Sequence, residues 1–496
     1  MQTFQSILHA VASHAETIPD KVALIEAETD RKCTYGELWA YVKAFARRLA
    51  KAGIKRDLGD GYGSRAVICC TQTIDSVIAE LAIQLAGGVI VPIEKNIAAS
   101  RIVEIMEETD CKILIAPKPL LNYEYTFIPL TDAAVEKETG DVNLSFPSPD
   151  NLAYILFTTG TTGNSKGVML SHNAITSRTV SSYSVYNHGN NQTWLVPIPV
   201  SHAAGLLKIF VSLFYQCTAV LLDGYTFANS FFSAIKKYNV TILCILSAAA
   251  EMYVRTYQKY LQEISNQIHL IVLGSSSYSE ALIDELRNIF SKSKIIELYG
   301  ASEVPGCFID HSQNRYGAFC VGKPRPGIEL VFFDEQKNNI IETNKENPGL
   351  FAMNHISKML GYWKEPELTA SVVRGDYIVL SDLGYKGDNG LYYFLGRADD
   401  VIVSGGYKIA PLEIETAANS YDGIRESACV PISDAIMGQV PKLYVVMEEN
   451  HVFDIVKINS YLKGKLEATR VPRYIEQIDA IPKINNKINR KALKDS

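Results

Sequence analysis

Short apolar runs along the chain alternate with longer stretches in which apolar residues recur every three or four positions. Leu38, Val42 and Leu49 follow the helical period, and Thr34 followed by Glu37 has the form of a helix capping box. The short runs are rich in β-branched residues and predict buried strands at 66–70, 89–92, 153–157, 195–197, 219–222, 241–246 and 270–273. This alternation is typical of α/β layers around a mostly parallel sheet.

The pattern changes after about residue 345, where glycine-rich turns begin to separate short strands. From about residue 400 it predicts a small α+β unit, with elements at 401–404, 411–420, near 429 and 444, and at 455–466. We therefore predict an α/β fold with a large N-terminal part of several subdomains and layered sheets. A boundary near 396–400 separates it from a small C-terminal domain.

Composition and charge narrow the class of protein. The 496 residues allow roughly two to four domains. Hydrophobic residues make up 47% and charged residues 21%, which is an ordinary globular balance. The net charge of -6 argues against a nucleic-acid partner, because the chain has no overall basic excess to release phosphate counterions.

The cysteines and the apolar segments indicate a cytoplasmic protein. The nine cysteines are scattered, and without a C-x-x-C pair a thiolate zinc site is not expected. The first 20 residues contain no lysine or arginine, unlike a signal peptide. The longest apolar run, at 209–222, is interrupted by Gln216 and is too short to span a bilayer.

A segment rich in glycine and threonine follows the strand predicted at 153–157. Glycines let backbone N–H groups approach an anion closely, and hydroxyls with one lysine add donors, which suits a polyphosphate. The common nucleotide loop G-x-x-x-x-G-K-[ST] is a different motif, because here Ser165 precedes Lys166 and Gly167 follows it. The alternative to a phosphate-binding loop is a flexible polar loop without a binding role. The predicted phosphate-binding residues are Thr158, Thr159, Gly160, Thr161, Thr162, Gly163 and Lys166.

Four further segments, in this order along the chain, accompany that loop: Glu297-Leu-Tyr-Gly-Ala-Ser-Glu303, Ser381-Asp-Leu-Gly384, the stretch from Gly396 to Glu415, and Pro482 to Lys491. Taken alone, each has an ordinary explanation as a turn or a solvated basic tail. Together they resemble the ordered motifs of the adenylate-forming superfamily, which includes acyl-CoA synthetases, aryl-CoA ligases, luciferases and peptide-synthetase adenylation domains. The resemblance extends from Thr34 to Lys491.

The resemblance implies an enzyme that uses ATP and Mg²⁺ to activate a carboxylic acid as its acyl-adenylate. In the motif after residue 297, Tyr299 would stack on adenine, Ser302 would reach the α-phosphate, and Glu303 would hold Mg²⁺ together with Thr162. Gly300 and Ala301 would line the same nucleotide site.

Three residues nearer the C-terminus take further roles by the same resemblance. Asp382 would bind the ribose hydroxyls, and Arg397 would contact ribose or phosphate. Lys487 would be the catalytic lysine that bridges the carboxylate and the α-phosphate. The glycine usual before this lysine is replaced by Asn486, which tolerates a left-handed backbone.

The resemblance also implies a moving C-terminal domain. Asp399 would be its hinge, Gly405 and Gly406 would line a thiol channel, and Lys408 would approach the adenylate during thiol transfer. The implied organisation is an ATP- and acyl-binding domain at 1–396, a hinge at 397–400, and a mobile domain at 401–496 that carries Lys487.

The acyl pocket is expected to begin at His202, where the family's amino-acid-activating members carry an aspartate. No carboxylate stands at this position, and an unpaired buried ammonium is costly, so α-amino acids should be poor substrates. Small residues predict room for an aryl or medium-chain acid, unless Leu206, Leu207 or Phe210 fills the space. The predicted pocket residues are His202, Ala203, Ala204, Gly274, Ser275, Ser276, Gly300 and Pro305.

Several alternatives stay open. The acceptor is expected to be a thiol, with coenzyme A favoured over a separate carrier protein, although an amine or O₂ acceptor would share the first half-reaction. The Ser-Lys-Gly order argues against a P-loop kinase. The complete set of motifs argues against a non-catalytic member of the family. Cys307 has no obvious base or positive partner and is expected to be a core or pocket thiol. We expect a monomer or a homodimer.

Overall fold

The computed structural model describes residues 4–120, 123–135, 142–159, 165–225, 227–274, 280–317, 319–405, 407–484 and 487–494. Contacts divide the chain into two compact units. The first comprises residues 1–316, 322–330 and 353–378, and the second comprises 317–321, 331–352 and 379–496. The predicted hinge at 397–400 lies inside the second unit, so this division leaves the hinge a prediction.

The helices begin and end as follows. They are α1 Ile7–Thr17, α2 Tyr35–Lys51, α3 Ile74–Leu85, α4 Ala99–Glu108, α5 His172–Tyr186, α6 Ala203–Phe214, α7 Ala228–Lys237, α8 Ser247–Ile264, α9 Glu280–Ile289, α10 Pro366–Val372, α11 Pro411–Asn419, α12 Ile455–Lys465 and α13 Arg490–Lys494. Short 3-10 helices cover Leu130–Ala134, Ala398–Asp400 and Ala468–Arg470. Within the described part of the chain, every helix is too short or too polar to cross a membrane.

The strands of the first half of the chain are β1 Val22–Glu26, β2 Lys32–Thr34, β3 Arg65–Cys70, β4 Val89–Glu94, β5 Ile113–Ala116, β6 Thr126–Pro129, β7 Leu152–Thr159, β8 Ser165–Ser171, β9 Thr193–Val196, β10 Thr218–Leu221 and β11 Ile242–Leu246. Those that follow are β12 Leu270–Gly274, β13 Lys294–Gly300, β14 Pro305–Asp310, β15 Cys320–Pro324, β16 Glu329–Phe333, β17 Ile340–Ile341, β18 Gly349–Asn354, β19 Gly361–Tyr362, β20 Val373–Arg374, β21 Tyr377–Lys386 and β22 Tyr392–Arg397. The last are β23 Ile402–Ser404, β24 Tyr407–Ile409, β25 Ile424–Asp434, β26 Gly438–Met447, β27 Tyr474–Gln477, β28 Lys483–Ile484 and β29 Lys487–Ile488.

Two sheets form the framework of the first unit. In one, β13, β12, β11, β9, β10 and β1 run parallel in that spatial order, and β14 and β2 pair antiparallel at the two ends. In the other, β7, β4, β3, β5 and β6 are parallel, and β8 and β19 extend the sheet antiparallel beyond β7. The strands predicted from the apolar runs are confirmed as β3, β4, β7, β9, β10, β11 and β12.

Helix α2 shows how local sequence fixes an element in this unit. Thr34 Oγ1 accepts from the Glu37 N–H at 3.2 Å, and Glu37 Oε2 accepts from the Thr34 N–H at 2.8 Å. The predicted capping box is therefore present. Leu38, Val42 and Leu49 are fully buried on one face of the helix, as their period predicts.

One buried carboxyl interrupts the apolar packing between α3 and the second sheet. Glu80 is 1% exposed, and its Oε2 accepts from the Tyr154 hydroxyl at 2.9 Å. Gln84 Nε2 donates to the same hydroxyl at 3.1 Å. Burial raises the pKa of Glu80 to about 8, since the charged form is poorly solvated there.

The second unit contains an antiparallel pair, β21 with β22, and a small mixed sheet near the C-terminus. In that sheet β24, β23, β26 and β25 follow one another antiparallel, and β27 adds parallel to β26. Helices α11 and α12 bury Ile414, Ala418, Ile458 and Leu462 in the apolar core that covers it. The predicted α+β character of this segment is confirmed.

Candidate active site

Lys166 lies in a β-hairpin formed by β7 and β8. Lys166 pairs with Thr158 across the two strands, and the Ser165 hydroxyl donates to the Thr158 carbonyl at 3.3 Å. Gly167 lacks a side chain because an added Cβ would lie only 2.8 Å from Ile155 and 3.2 Å from Trp363. The hairpin thus fixes both edges of the predicted phosphate loop.

The second predicted motif forms the tight connection between β13 and β14. The Ala301 N–H donates to the Val304 carbonyl at 3.0 Å, which closes the turn that carries Ser302 and Glu303. A Cβ on Gly300 would lie 2.8 Å from the backbone nitrogen of Gly306, so the two strands can cross only with glycine here. Tyr299, which precedes this glycine, is half-buried.

The segment 359–363 joins the two motifs. The Met359 N–H donates to the Glu303 carbonyl at 2.7 Å. On the other side, the Leu360 and Trp363 N–H groups donate to the carbonyls of Met169 and Gly167 at 2.9 and 2.7 Å. The Lys166 strand and the Glu303 turn are therefore held by one short piece of backbone.

Tyr362 occupies the centre of this segment. Its hydroxyl donates to Glu303 Oε1 at 2.8 Å, and its ring centroid lies 5.5 Å from Lys166 Nζ. It thus contacts one predicted phosphate ligand and one predicted magnesium ligand. Sequence reasoning missed this residue, although Gly361-Tyr362-Trp363 is an aromatic pair after a glycine in an otherwise polar stretch.

The predicted entrance to the acyl pocket contains a carboxylate that the sequence did not reveal. His202 Nε2 lies 2.9 Å from Glu94 Oε1, and both side chains are 49% exposed. The position itself holds His202, and the nearby carboxylate is that of Glu94, which comes from the end of β4, 108 residues earlier in the chain. Ala203 and Ala204 follow on the first turn of α6.

Other pocket predictions are placed as follows. Gly274 ends β12 between Leu246 and Leu298, and Pro305 is buried at the start of β14. Cys307 is fully buried, as expected, but Arg325 lies close enough for their charges to interact. The expectation that Cys307 has no positive neighbour is wrong, since Arg325 comes from beyond β15.

In the second unit, Asp382 and Arg397 face each other across β21 and β22. Arg397 Nη1 donates to Asp382 Oδ1 at 3.0 Å, and the Asp382 residue is 7% exposed. Arg397 Nε is buried without a hydrogen-bond partner among the described residues. The structure thus brings together two residues that the sequence assigned to ribose and phosphate.

The backbone around Lys487 is anchored to the C-terminal sheet through Arg490. Arg490 donates through both Nη atoms to the buried carboxylate of Glu415, and Nη1 also donates to the Cys429 carbonyl at 2.9 Å. Its Nε lies 3.5 Å from Asp400 Oδ2, next to the predicted hinge. Lys487 itself pairs with Ile484 in the β28–β29 hairpin.

Asp399 and Gly405 lie near the start of the C-terminal segment. Asp399 is the middle residue of the 3-10 helix Ala398–Asp400. Gly405 has a φ of +55°, and a Cβ there would lie 2.3 Å from the Met437 Cε. The positive φ makes a side chain at 405 strained, and a Cβ there would also require the flexible end of Met437 to shift.

The remaining predicted site residues form two groups. Some lie outside the described residues, and for the others the structure describes the backbone but not the side chain. Gly160, Thr161, Thr162, Gly163, Ser275, Ser276 and Gly406 belong to the first group, and the side chains of Thr159, Lys408 and Lys487 belong to the second. Their roles stay predictions.

The comparisons with known proteins identify the family of the chain. The family model AMP-binding enzyme matches residues 11–363, and the model of its C-terminal domain matches 413–487. The chain therefore belongs to the AMP-binding enzyme family, and the expected membership of the adenylate-forming superfamily is confirmed.

Individual relatives match the chain over almost its whole length. A 2-succinylbenzoate–CoA ligase of Bacillus licheniformis is 26% identical over 493 residues, which cover 97% of this chain and 98% of that protein. The structure of ATP-bound MatB from Rhodopseudomonas palustris has a TM-score of 0.87 at 22% identity, with 98% of each chain covered. That of the Bacillus subtilis O-succinylbenzoate coenzyme A synthetase with ATP and magnesium has a TM-score of 0.84 at 23% identity, covering 98% and 99%.

These findings define the class of the enzyme. It is an ATP-dependent, AMP-forming ligase of the acyl-CoA synthetase type, with the α/β fold that the sequence predicts. The kinase alternative is thereby excluded.

Proposed function

We propose that this enzyme converts an aryl or medium-chain carboxylic acid to its acyl-adenylate and then to its coenzyme A thioester. The observation that carries the proposal is the joined arrangement of Lys166, Tyr362 and Glu303. It presents one cation and one carboxylate, held by a shared backbone segment, as a polyphosphate with Mg²⁺ requires.

In the first step, a carboxylate oxygen of the acid attacks the α-phosphorus of ATP and pyrophosphate leaves. Two anions must approach each other, so the chain has to supply positive charge. We assign Lys166 to the β- and γ-phosphates and Lys487 to the carboxylate and α-phosphate. Glu303 offers carboxylate oxygens, the ligands that Mg²⁺ prefers, and the bound ion would neutralise phosphate charge.

In the second step, the sulfur of coenzyme A attacks the acyl carbon, the bond to AMP breaks, and AMP leaves. We assign this step to a rotation about Asp399 that withdraws Lys487 and brings Gly405, Gly406 and Lys408 toward the adenylate. Gly405 supports the assignment, because its positive φ favours glycine, which leaves no side chain to obstruct a thiol. Coenzyme A is favoured as the thiol, and a carrier protein is the alternative.

The acid is proposed from the small residues at the start of α6. Ala203 and Ala204 leave space beside the exposed side chain of His202, whereas Leu206 and Phe210 are buried in the core. Glu94 is already paired with His202, so an α-ammonium group would have to compete for it. A relative named for an aryl acid, 2-succinylbenzoate, supports the same class.

The proposed location is the cytoplasm. All nine cysteines are buried as free thiols, which suits a reducing compartment. The chain is proposed to act as a monomer or a homodimer.

The test is an acid-dependent pyrophosphate-release screen, run with and without coenzyme A. The panel contains benzoates, cinnamates, fatty acids of two to twelve carbons and the common amino acids. We expect release with an aryl or medium-chain acid, and a thioester when coenzyme A is added. Highest kcat/KM on an α-amino acid or on acetate would refute the substrate class.

A further inference from the structure

Three cationic side chains lie buried in the first unit with only neutral hydrogen-bond partners. Arg178 on α5 is 2% exposed, and Lys208 on α6 and Arg325 beyond β15 are each 7% exposed. Arg178 donates through Nε and Nη2 to the Ser357 carbonyl at 3.1 and 2.9 Å. We call these three residues the buried basic cluster.

The other two members also have only neutral hydrogen-bond partners among the described residues. Lys208 Nζ donates to the Tyr186 hydroxyl, and Arg325 Nη1 donates to the Ser182 hydroxyl at 3.3 Å. Arg325 Nε is buried without a hydrogen-bond partner among the described residues. A buried guanidinium with an unused donor is costly unless a ligand satisfies it.

The cluster is a single electrostatic group. Burial and, after it, the nearby charge of Arg325 lower the pKa of Arg178 to about 9, and the charge of Glu303 opposes this shift. Tyr186, which bonds to Lys208, also lies within electrostatic range of Arg325. His355 is buried beside the cluster, and burial together with both arginines lowers its pKa to about 4, so at neutral pH it adds no further positive charge.

The cluster borders the proposed acyl pocket on two sides. Lys208 follows Ala204 by four residues on α6, so the two lie on the same helix face one turn apart. The Arg325 N–H donates to the carbonyl of Gly306 at 3.2 Å, and Gly306 follows the pocket residue Pro305. An acid that enters past Ala204 would extend toward Lys208 and Arg325.

We infer that the acid substrate carries a second carboxylate, and that the buried basic cluster binds it while the first carboxylate is activated. The inference rests on the proposed function and refines its substrate class to dicarboxylic acids with an apolar body. A carboxylate can accept from the unused Nε of Arg325 and from Lys208 together. Arg178 would add favourable charge, since it lies within electrostatic range of Arg325.

The test compares each dicarboxylic acid with its own monomethyl ester, which keeps the shape and removes one charge. Diacids of four to twelve carbons and terephthalic acid are suitable, with pyrophosphate release as the readout. We expect kcat/KM of the parent enzyme to be about 100-fold higher for the best diacid than for its half-ester, because the ester leaves the cluster unpaired.

Variants assign the preference to the cluster. Arg325→Met and Lys208→Met should each lower kcat/KM for the diacid toward the value for the half-ester, while activity on the half-ester persists. Arg325→Lys keeps the charge and should retain part of the preference. Lys323→Met is the matched control, since Lys323 is exposed on β15 two residues before Arg325, and it should keep the parent preference.

The measurements distinguish three outcomes: a misfolded variant, failure of the second-carboxylate inference, and failure of the proposed function. Because Arg325→Met removes an unpaired buried cation, its Tm without substrate should equal or exceed that of the parent. Equal kcat/KM for diacid and half-ester in the parent, or an unchanged preference in both methionine variants, would overturn the inference alone. If the parent released pyrophosphate with none of the acids, the proposed function would fail together with it.

Discussion

Tyr362 illustrates how single residues build this site. The motifs in the sequence identify Lys166 and Glu303, which chemistry requires, but they do not show what holds the two together. Tyr362 contacts both residues: its hydroxyl lies 2.8 Å from the Glu303 carboxylate, and its ring centroid lies 5.5 Å from the Lys166 ammonium. Lys166 lies about 200 residues before Tyr362 in the chain, and Glu303 lies about 60 residues before it. Local sequence cannot reveal that such distant segments come together.

Tyr362→Phe should weaken the magnesium site while the fold is kept. The variant loses the hydrogen bond to the Glu303 carboxylate and retains the ring beside Lys166. Since a hydrogen bond to a charged group contributes roughly 1.5–3 kcal/mol, acid-dependent pyrophosphate release should fall about tenfold and the half-saturating Mg²⁺ concentration should rise. Steady-state kinetics over a Mg²⁺ series measures both quantities.

Tyr393→Phe is the control, because that hydroxyl accepts from Asn389 outside the proposed site. If Tyr362→Phe behaved like this control, the positioning role of Tyr362 would be wrong.

At the scale of elements, most of the fold could be predicted from the sequence. The capping box of α2 and the β-branched runs of β3, β4 and β7 are local signals, and they produced the predicted elements. What local signals could not supply is which element lies against which. Glu94 at the end of β4 contacts His202 at the start of α6, and this contact adds a carboxylate to the predicted pocket entrance.

Glu80 on α3 makes stability depend on pH. Its ordinary pKa of 4.5 applies to the unfolded chain, whereas in the folded protein the carboxyl keeps its proton until about pH 8. Between these values the folded state binds more protons than the unfolded state, so the free energy of unfolding falls as the pH rises. Glu80→Gln removes this titration.

Thermal unfolding over a pH series measures the effect. The Tm of Glu80→Gln relative to the parent should increase from about pH 4.5 to about pH 8 and stay constant above. Glu285→Gln, at an exposed carboxyl on α9, should show no such trend. A Tm difference that is independent of pH in this window would show that Glu80 is ionised in the folded core.

At the scale of the whole molecule, the order of motifs identified the family, and physical patterns alone identified only the α/β class. Motif order gave no sign of the buried basic cluster, because Arg178, Lys208 and Arg325 come from three separate segments and belong to none of the motifs. The division of labour between the two half-reactions also remains a proposal, and it makes two predictions.

Asp399→Pro tests the proposed hinge. Proline fixes φ near -65° and removes a backbone donor, so it should lock one conformation and spare one half-reaction. Pyrophosphate release and thioester formation from supplied acyl-AMP are measured separately, with the Tm as a check of folding. Parental rates in both assays, or equal losses in a folded protein, would place the hinge elsewhere.

Lys487→Ala tests most directly the claim that one chain performs adenylation and thiol transfer with different residues. Acid-dependent pyrophosphate release should fall about 10²–10³-fold, because a preorganised cation is lost from the first transition state. The same variant should convert supplied acyl-AMP and coenzyme A to thioester at the parental rate, and Lys491→Ala, at an exposed lysine four residues later, should match the parent in both assays. Equal loss of both half-reactions in Lys487→Ala would contradict the account.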